Sequence, residues 1–286
     1  REPNQLRTIF GSNVDSKLIS GGISYQLTPA TLELTPEIQR GFCKDRQLAL
    51  NVVDLDTFTR VFNSLQRWWN GCKIEDLPCT VLFDFCNAFP TMLHEWLFLV
   101  LRALGVPSNL RWAVWWLYKS ITAYTCGAGD NSFLCRVLAG VKTGCPLSSI
   151  LFLLGINPIV DLFLMLADGP KLSATRVCAD DFGSALRKLF TLRVLASIFR
   201  LAARTTGLHL KTSKSVIIVS CVNLTDNLVQ RIRLWLQENI QEFVDMTIAP
   251  SGKYLGWFLG RNSYVRSFEE PFKKFSDRVE EVVAGH

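Results

Sequence analysis

Apolar residues recur along this chain with more than one period, and the changes of period mark out its elements. Across residues 48–69 they fall at Val52, Leu55, Phe58, Phe62, Leu65 and Trp69, one face of a helix. Residues 79–85 form a short, nearly continuous apolar run with Asp84 near its end, the pattern of a strand buried on both faces. Helices are expected over 93–104 and 110–120, broken at Gly105 and Pro107. Residues 123–137 carry Gly127, Gly129, Asp130 and Asn131 between apolar flanks and suggest a hairpin. Pro146 then opens a long apolar helix over 150–167. Two strands, 173–178 and 182–187, flank Ala179-Asp180-Asp181 and place carboxylates at a hairpin tip. Leu192, Leu195, Ile198, Phe199 and Ala202 mark a helix ended by Gly207. Further strands are expected at 215–219, 244–248 and 254–259, with a helix over 227–237 between the first two and a charged helix over 269–283. Residues 1–45, punctuated by Gly11, Gly21, Gly22, Pro29, Pro36 and Gly41, suggest loops and short elements. Strands alternating irregularly with helices imply an α+β domain.

Composition narrows the classes. A chain of 286 residues, 49% hydrophobic and 20% charged, can bury a sizeable core and is not a disordered protein. It opens on Arg1 without the charged start, apolar run and cleavage site of a secretory signal, so it reads as a piece of a longer protein. The helix over 150–167 could tempt a membrane assignment, but Asn157, Pro158 and Asp161 interrupt it, and an aspartate at mid-bilayer costs about 2.5–3.5 kcal/mol. A buried helix is expected instead. The nine cysteines include no Cys-x-x-Cys pair and only three histidines accompany them, which argues against a disulfide framework or structural zinc and for a reducing compartment. A net charge of +6 permits a polyanionic partner without requiring one. The eight tryptophans invite base stacking, yet Trp112, Trp115 and Trp116 fall at helical spacing, and most of them are expected in the core.

The candidate chemistry lies in Asp84, at the end of one strand, and Asp180-Asp181, at a hairpin tip. If those strands are neighbours, three carboxylates meet at one edge of a sheet. At about 4 Å and an effective dielectric near 20, each like-charge pair costs on the order of 4 kcal/mol, so the cluster needs cations. Magnesium suits such a site, taking one or two carboxylates and completing its shell with water and substrate phosphate. Two such ions stabilise the attacking and leaving oxygens of an in-line phosphoryl displacement. Singly, each residue has a bland explanation, since Asp-Asp dipeptides mark turns and Asp84 alone can cap a strand.

Several blocks stand in an order that resembles the reverse transcriptase family. They are Arg40-Gly41-Phe42 with Arg46-Gln47, then Asp84-Phe85-Cys86-Asn87-Ala88-Phe89, then Gly140-Val141-Lys142-Thr143-Gly144-Cys145-Pro146-Leu147-Ser148. Cys178-Ala179-Asp180-Asp181, Gly207-Leu208 with Lys214, and Tyr254-Leu255-Gly256 follow. The Gly-Cys-Pro-Leu-Ser run is the most specific of them, and its style is similar to non-LTR (LINE-type) retrotransposon enzymes more than to retroviral ones. The resemblance implies a right-hand polymerase fold, with fingers over 1–78 and a palm with an antiparallel sheet over 79–260. Fingers helices and a hairpin would be inserted at about 91–139, and 261–286 would be only the start of a thumb.

The resemblance also implies roles. Asp84 and Asp180 would bind two magnesium ions, with manganese as the alternative, and Asp181 would support them. Lys17, Arg46, Phe85, Phe89, Thr143, Gly144 and Lys214 would surround the incoming nucleotide. There Lys17 and Arg46 meet the triphosphate, Lys214 is a candidate proton donor to leaving pyrophosphate, and the Phe89 ring excludes a 2'-hydroxyl. Pro146, Ser148, Tyr254, Leu255 and Gly256 would meet template or primer. The partners implied are an RNA template, a DNA primer and deoxynucleoside triphosphates, with no membrane, and the setting is intracellular, nuclear for a eukaryotic element. Thr143 stands where the family commonly has glutamine, Cys178 where it has an aromatic, Pro90 where it often has aspartate and Lys211 where it usually has asparagine. Two alternatives stay open: a non-catalytic nucleic-acid-binding remnant, and a group II intron-type reverse transcriptase or maturase.

Overall fold

The computed structural model describes residues 13–66, 68–69, 71–119, 121–124, 132–283 and 285. In chain order the elements are α1 (Val14–Leu34), α2 (Ala49–Gln66), β1 (Cys79–Phe83), the short α3 (Ala88–Thr91), α4 (His94–Ala103), α5 (Ser108–Lys119), β2 (Thr122–Tyr124), β3 (Phe133–Arg136) and α6 (Ser148–Phe163). Then come β4 (Ser173–Cys178), β5 (Asp181–Leu186), α7 (Leu192–Thr206), β6 (Val216–Ile218), α8 (Asp226–Asn239), β7 (Thr247–Ala249), β8 (Ser251–Tyr254), β9 (Trp257–Gly260) and α9 (Ser263–Val283). They gather into two units, one of residues 1–45, 85–162 and 197–210, the other of 46–84, 163–196 and 211–286.

The second unit is built on a five-stranded sheet ordered β4-β5-β1-β6-β7. Every pair is antiparallel except β6–β7, which is parallel, so the expected antiparallel sheet is mixed at one edge. β1, expected to be buried on both faces, has all five residues buried. Its Leu82 faces α2, where Leu55, Ala185, Ile218, Tyr254 and Leu259 close one core and Val52, Phe58 and Phe62 pack against it. Its Phe83 lies 6.3 Å from the Phe243 ring on the opposite face. Gly183 on β5 is needed because a Cβ there would come within 2.5 Å of Leu55 Cδ1.

In the first unit α6 is the apolar centre. Leu151, Phe152, Leu153 and Ile156 are all fully buried. Continued by a wide turn to Asp168, this helix is long and apolar enough to cross a membrane, with 67% of its most apolar window buried inside the fold. Trp96 of α4 donates to Gly155 O at 2.8 Å, and Asn157 donates to Thr35 Oγ1 at 3.1 Å. Gly140, at φ 92°, sits so close to the Pro90 backbone that a Cβ would meet Pro90 O at 2.6 Å.

Four expectations need correction. Residues 14–34, expected as loops, form one helix, capped where Asn13 Oδ1 accepts from Ser16 N at 2.9 Å. Its buried stripe is Ser20, Ile23, Leu27 and Thr31, and packing along it outweighs two glycines and Pro29, which cost about 1 and about 3 kcal/mol each in a helix interior. The strand expected over 254–259 is instead a turn: Tyr254 ends β8, Leu255 (φ 49°) and Gly256 (φ 89°) reverse the chain, and Trp257 begins β9. The strand expected over 244–248 starts later, as β7, because Gln241–Phe243 is a 3-10 turn. Of the three α5 tryptophans, most of which are expected in the core, Trp112 and Trp116 are 57% and 65% exposed, because α5 buries the face that carries Val114 and Tyr118.

Candidate active site

The carboxylates meet as a consequence of strand register. In the β1–β5 pair Phe83 lies opposite Phe182, so the next residue of one strand, Asp84, and the preceding residue of the other, Asp181, stand at the same end of adjacent strands. β4 and β5 form a hairpin whose last pair is Cys178 opposite Asp181, leaving Ala179-Asp180 as its two-residue turn. Ala179 adopts φ 57°, a left-handed conformation that costs a non-glycine residue about 1–2 kcal/mol. The pairing on either side of this turn leaves Asp180 at the tip beside Asp181.

Although much of Asp181 remains accessible at the turn, burial of its carboxyl, with Asp180 and then Asp84 as further causes, pushes it up to about 6. These carboxylates therefore repel one another across the sheet edge. Among the described residues no three His, Cys, Asp or Glu side chains come close enough together to hold a metal ion by themselves. Asp84 and Asp181, which line one cavity, are oxygen donors of the kind of which a hard divalent cation takes one or two, its remaining positions filled by water and phosphate.

A cavity of about 310 Å³ opens here, lined by Leu82, Phe83, Asp84, Asp181, Lys214, Val216, Lys253, Tyr254 and Leu255. Lys214 is carried by a short 3-10 turn, Thr212–Lys214, anchored where Lys211 N donates to Asp84 O at 2.7 Å and Asp84 N donates to Ser215 Oγ at 3.1 Å. Its ammonium makes no hydrogen bond or ion pair among the described residues. Lys253 is engaged already, donating to Glu270 Oε2 at 2.8 Å, and with Lys274 it holds the Glu270 carboxyl down at about 2.

The carboxylate hairpin is braced from behind by side chains that motif reasoning passed over. Asn51 of α2, fully buried, donates to Val177 O at 2.9 Å. Arg176 reaches Asp54 at 2.6 Å and lies 5.2 Å over the Phe58 ring. Tyr254 Oη donates to Arg176 O (3.1 Å) and Asp181 O (3.2 Å), and burial, followed by Cys178 and Asp181, drives its phenol far above the ordinary range. The signal for Asn51 was a polar residue on the same helix face as Leu55 and Phe58. Nothing in the sequence paired Arg176 with Asp54.

The remaining candidates divide between the units. Asp84, Asp181, Lys214, Tyr254 and Leu255 line one cavity in the second, with Asp180 in the adjoining hairpin turn, while Gly256 occupies the β8–β9 turn and Arg46 is half-buried. Tyr254 is buried, so its hydroxyl serves the hairpin backbone. The first unit carries Lys17, exposed on α1, half-buried Thr143, and exposed Gly144 and Pro146. It also carries Phe85, which is buried with its ring 5.8 Å from Phe199. Phe89 stacks on Phe152 at 4.2 Å and meets Phe42 edge-on at 5.7 Å. Ser148 is buried and donates to Lys142 O at 2.5 Å.

The profile of the family described as "Reverse transcriptase (RNA-dependent DNA polymerase)" matches residues 1–259. No match is found among curated protein sequences. Two solved structures of apo telomerase from Candida tropicalis share the fold. One, truncated from the C-terminal domain, has a TM-score of 0.56 at 12% identity, covering 84% of this chain and 43% of that one. The other gives 0.57 at 11% identity, covering 84% and 39%. The chain thus spans less than half the length of the structures it resembles.

Proposed function

Because this chain belongs to the reverse transcriptase family, we propose that it is the polymerase core of a non-LTR retroelement enzyme that copies RNA into DNA. The observation that carries this reading is the register that brings Asp84 and Asp181 to one sheet edge, with Asp180 in the adjoining hairpin turn and Lys214 lining the same cavity as Asp84 and Asp181. Residues 1–78 then act as fingers, 79–260 as palm and 261–286 as the start of a thumb, and partners are an RNA template, a DNA primer and deoxynucleoside triphosphates.

Reverse transcriptase domains use divalent metal ions, and magnesium is the ion this oxygen donor set suits, with manganese as the alternative. When bound there, such ions stabilise charge on the attacking and leaving oxygens. The chain's own part is to hold the carboxylates against their mutual repulsion, through Tyr254 and Asn51 behind the hairpin. In this reading Lys214 gives a proton to the leaving pyrophosphate, and Arg46 and Lys17 meet the triphosphate.

Primer extension on an RNA template with magnesium tests the reading. Asp84→Asn and Asp180→Asn, which remove charge with little change of size, should each abolish extension while circular dichroism stays native. Retained extension in either variant refutes the carboxylate assignment. The departures at Thr143, Cys178, Pro90 and Lys211 support a second reading, a non-catalytic nucleic-acid-binding remnant. For that reading the unmodified chain binds template–primer but extends nothing.

A further inference from the structure

Helix α5 carries two stripes. Arg111, Val114 and Tyr118 point into the first unit, where Val114 and Tyr118 are buried. Trp112, Trp115, Trp116 and Lys119 form the other, at i, i+3, i+4 and i+7, and it faces outward, with Trp112 57% and Trp116 65% exposed. The three indoles interlock edge to face, with centroids 5.0 Å and 5.1 Å apart and planes at 83° in each pair. Lys119 Nζ sits 3.8 Å over Trp115 and 5.3 Å from Trp116. The central ring is thus covered by a cation, while the outer two keep accessible surface.

Along the chain, the charge flanking this stripe is one-sided. From Glu95 to Asp130 the sequence contains no other carboxylate, yet it contains Arg102, Arg111 and Lys119. None of these three cations has a carboxylate partner among the described residues, and the buried Arg111 Nε has no hydrogen-bond partner there. Both kinds of surface favour tryptophan, but lysine is depleted in protein–protein interfaces, whereas rigid indoles beside a lysine without a carboxylate partner are the composition that binds unpaired bases. A duplex hides its base faces, so the complementary ligand is single-stranded.

We propose that the outer face of α5 is an accessory site for single-stranded nucleic acid, in which unpaired bases stack on Trp112 and Trp116 while Lys119 neutralises an adjacent phosphate. Only the identity of the strand, an RNA template, rests on the polymerase reading. The stacking is a property of the first unit alone.

The test uses the whole chain in EDTA without nucleotides, and fluorescence anisotropy of a labelled oligouridylate of about twelve nucleotides, within the length one aromatic-lined groove accommodates. An abasic strand of the same length is the control. Trp112→Ala with Trp116→Ala should weaken oligouridylate binding by about tenfold or more, the size of a lost base stack. It should leave abasic binding unchanged, and the double Phe variant should restore most of the loss. Lys119→Gln should flatten the logarithmic salt slope by about 0.7. Unchanged affinity in a natively folded double Ala variant overturns the proposal, as does an equal loss for the abasic strand. So does loss of self-association in sedimentation velocity with RNA binding intact, which makes the stripe a protein interface. No divalent cation or nucleotide is present, so a chain without polymerase activity gives the same readout and the two readings fail separately.

Discussion

Replacing Tyr254 with Phe removes one oxygen from the brace behind the carboxylate hairpin and nothing else. The ring still fills the space among Leu55, Leu82, Ile218 and Leu259, so the transfer free energy of the side chain is nearly unchanged. What is lost is a buried hydroxyl that donates to Arg176 O and Asp181 O at 3.1 and 3.2 Å and is itself hydrogen-bonded by the Asn51 side chain. A neutral hydrogen bond contributes about 1 kcal/mol net, and leaving buried partners short of a donor raises the loss to about 1–3 kcal/mol. For a chain of this size each kcal/mol lowers the melting temperature by roughly 2–4 °C, so a fall of about 2–12 °C is expected in thermal unfolding. Because Asp181 O is one of the two carbonyls released, the neighbouring carboxylate loses its fixed position, and a misplacement of up to about 1 Å costs up to about a hundredfold in turnover. Primer-extension kinetics should show this in kcat with little change in the KM for nucleotide. Asn51 touches the same hydroxyl, so Asn51→Ala and Tyr254→Phe should combine to less than the sum of their separate losses. A variant with unchanged melting temperature and turnover, or strictly additive losses in the pair, refutes the brace.

Gly183→Ala should lose about 1–3 kcal/mol by overpacking, because the new Cβ meets Leu55 Cδ1 at 2.5 Å and Leu82 and Tyr254 at 3.4 Å, and the denaturant midpoint reads it. His94 is buried with Nε2 2.8 Å from Gly140 O, and burial is the main cause holding its pKa below the ordinary value. The unfolded chain therefore takes up the proton first, so His94 lends stability above about pH 6.5 that is lost as the pH falls through the lower folded value. His94→Gln should flatten stability against pH in that acidic window, and an unchanged slope refutes it. Phe89→Val should raise ribonucleotide incorporation relative to deoxynucleotide incorporation and lower thermal stability by the contacts with Phe152 and Phe42, and an unchanged selectivity ratio removes the ring from sugar discrimination. Template–primer affinity should fall steeply with salt, with a logarithmic slope near −5 for about six phosphate contacts, and a flat response argues against a polyanionic partner.

Helices and strands whose own residues carry the burial signal were legible without coordinates. The run 48–69 became Ala49–Gln66, 173–178 became a strand with those bounds, and Gly207 ended α7 with φ 80°. The acidic positions were legible for a related reason: a lone carboxylate at the end of a buried strand and an Asp pair at a hairpin tip are anomalies against their apolar surroundings. Whether they would meet was not legible, because the β1–β5 register depends on pairing between segments about a hundred residues apart. The braces are illegible in the same way, since Arg176 with Asp54 and Tyr254 with Asp181 are tertiary pairs of unremarkable residues. α1 failed for a different cause: two of its four buried positions are Ser20 and Thr31, so its inner face carries no apolar excess to detect. α5 shows where the hydrophobic argument inverts. Its helical period is real, but two stripes share it, and the more apolar one, with three tryptophans, lies outside while Arg111, Val114 and Tyr118 turn inward. Hydrophobicity chooses the period of a helix, whereas the neighbours it packs against choose the face. A strongly apolar stripe left outside that choice is therefore a better indicator of binding than of folding.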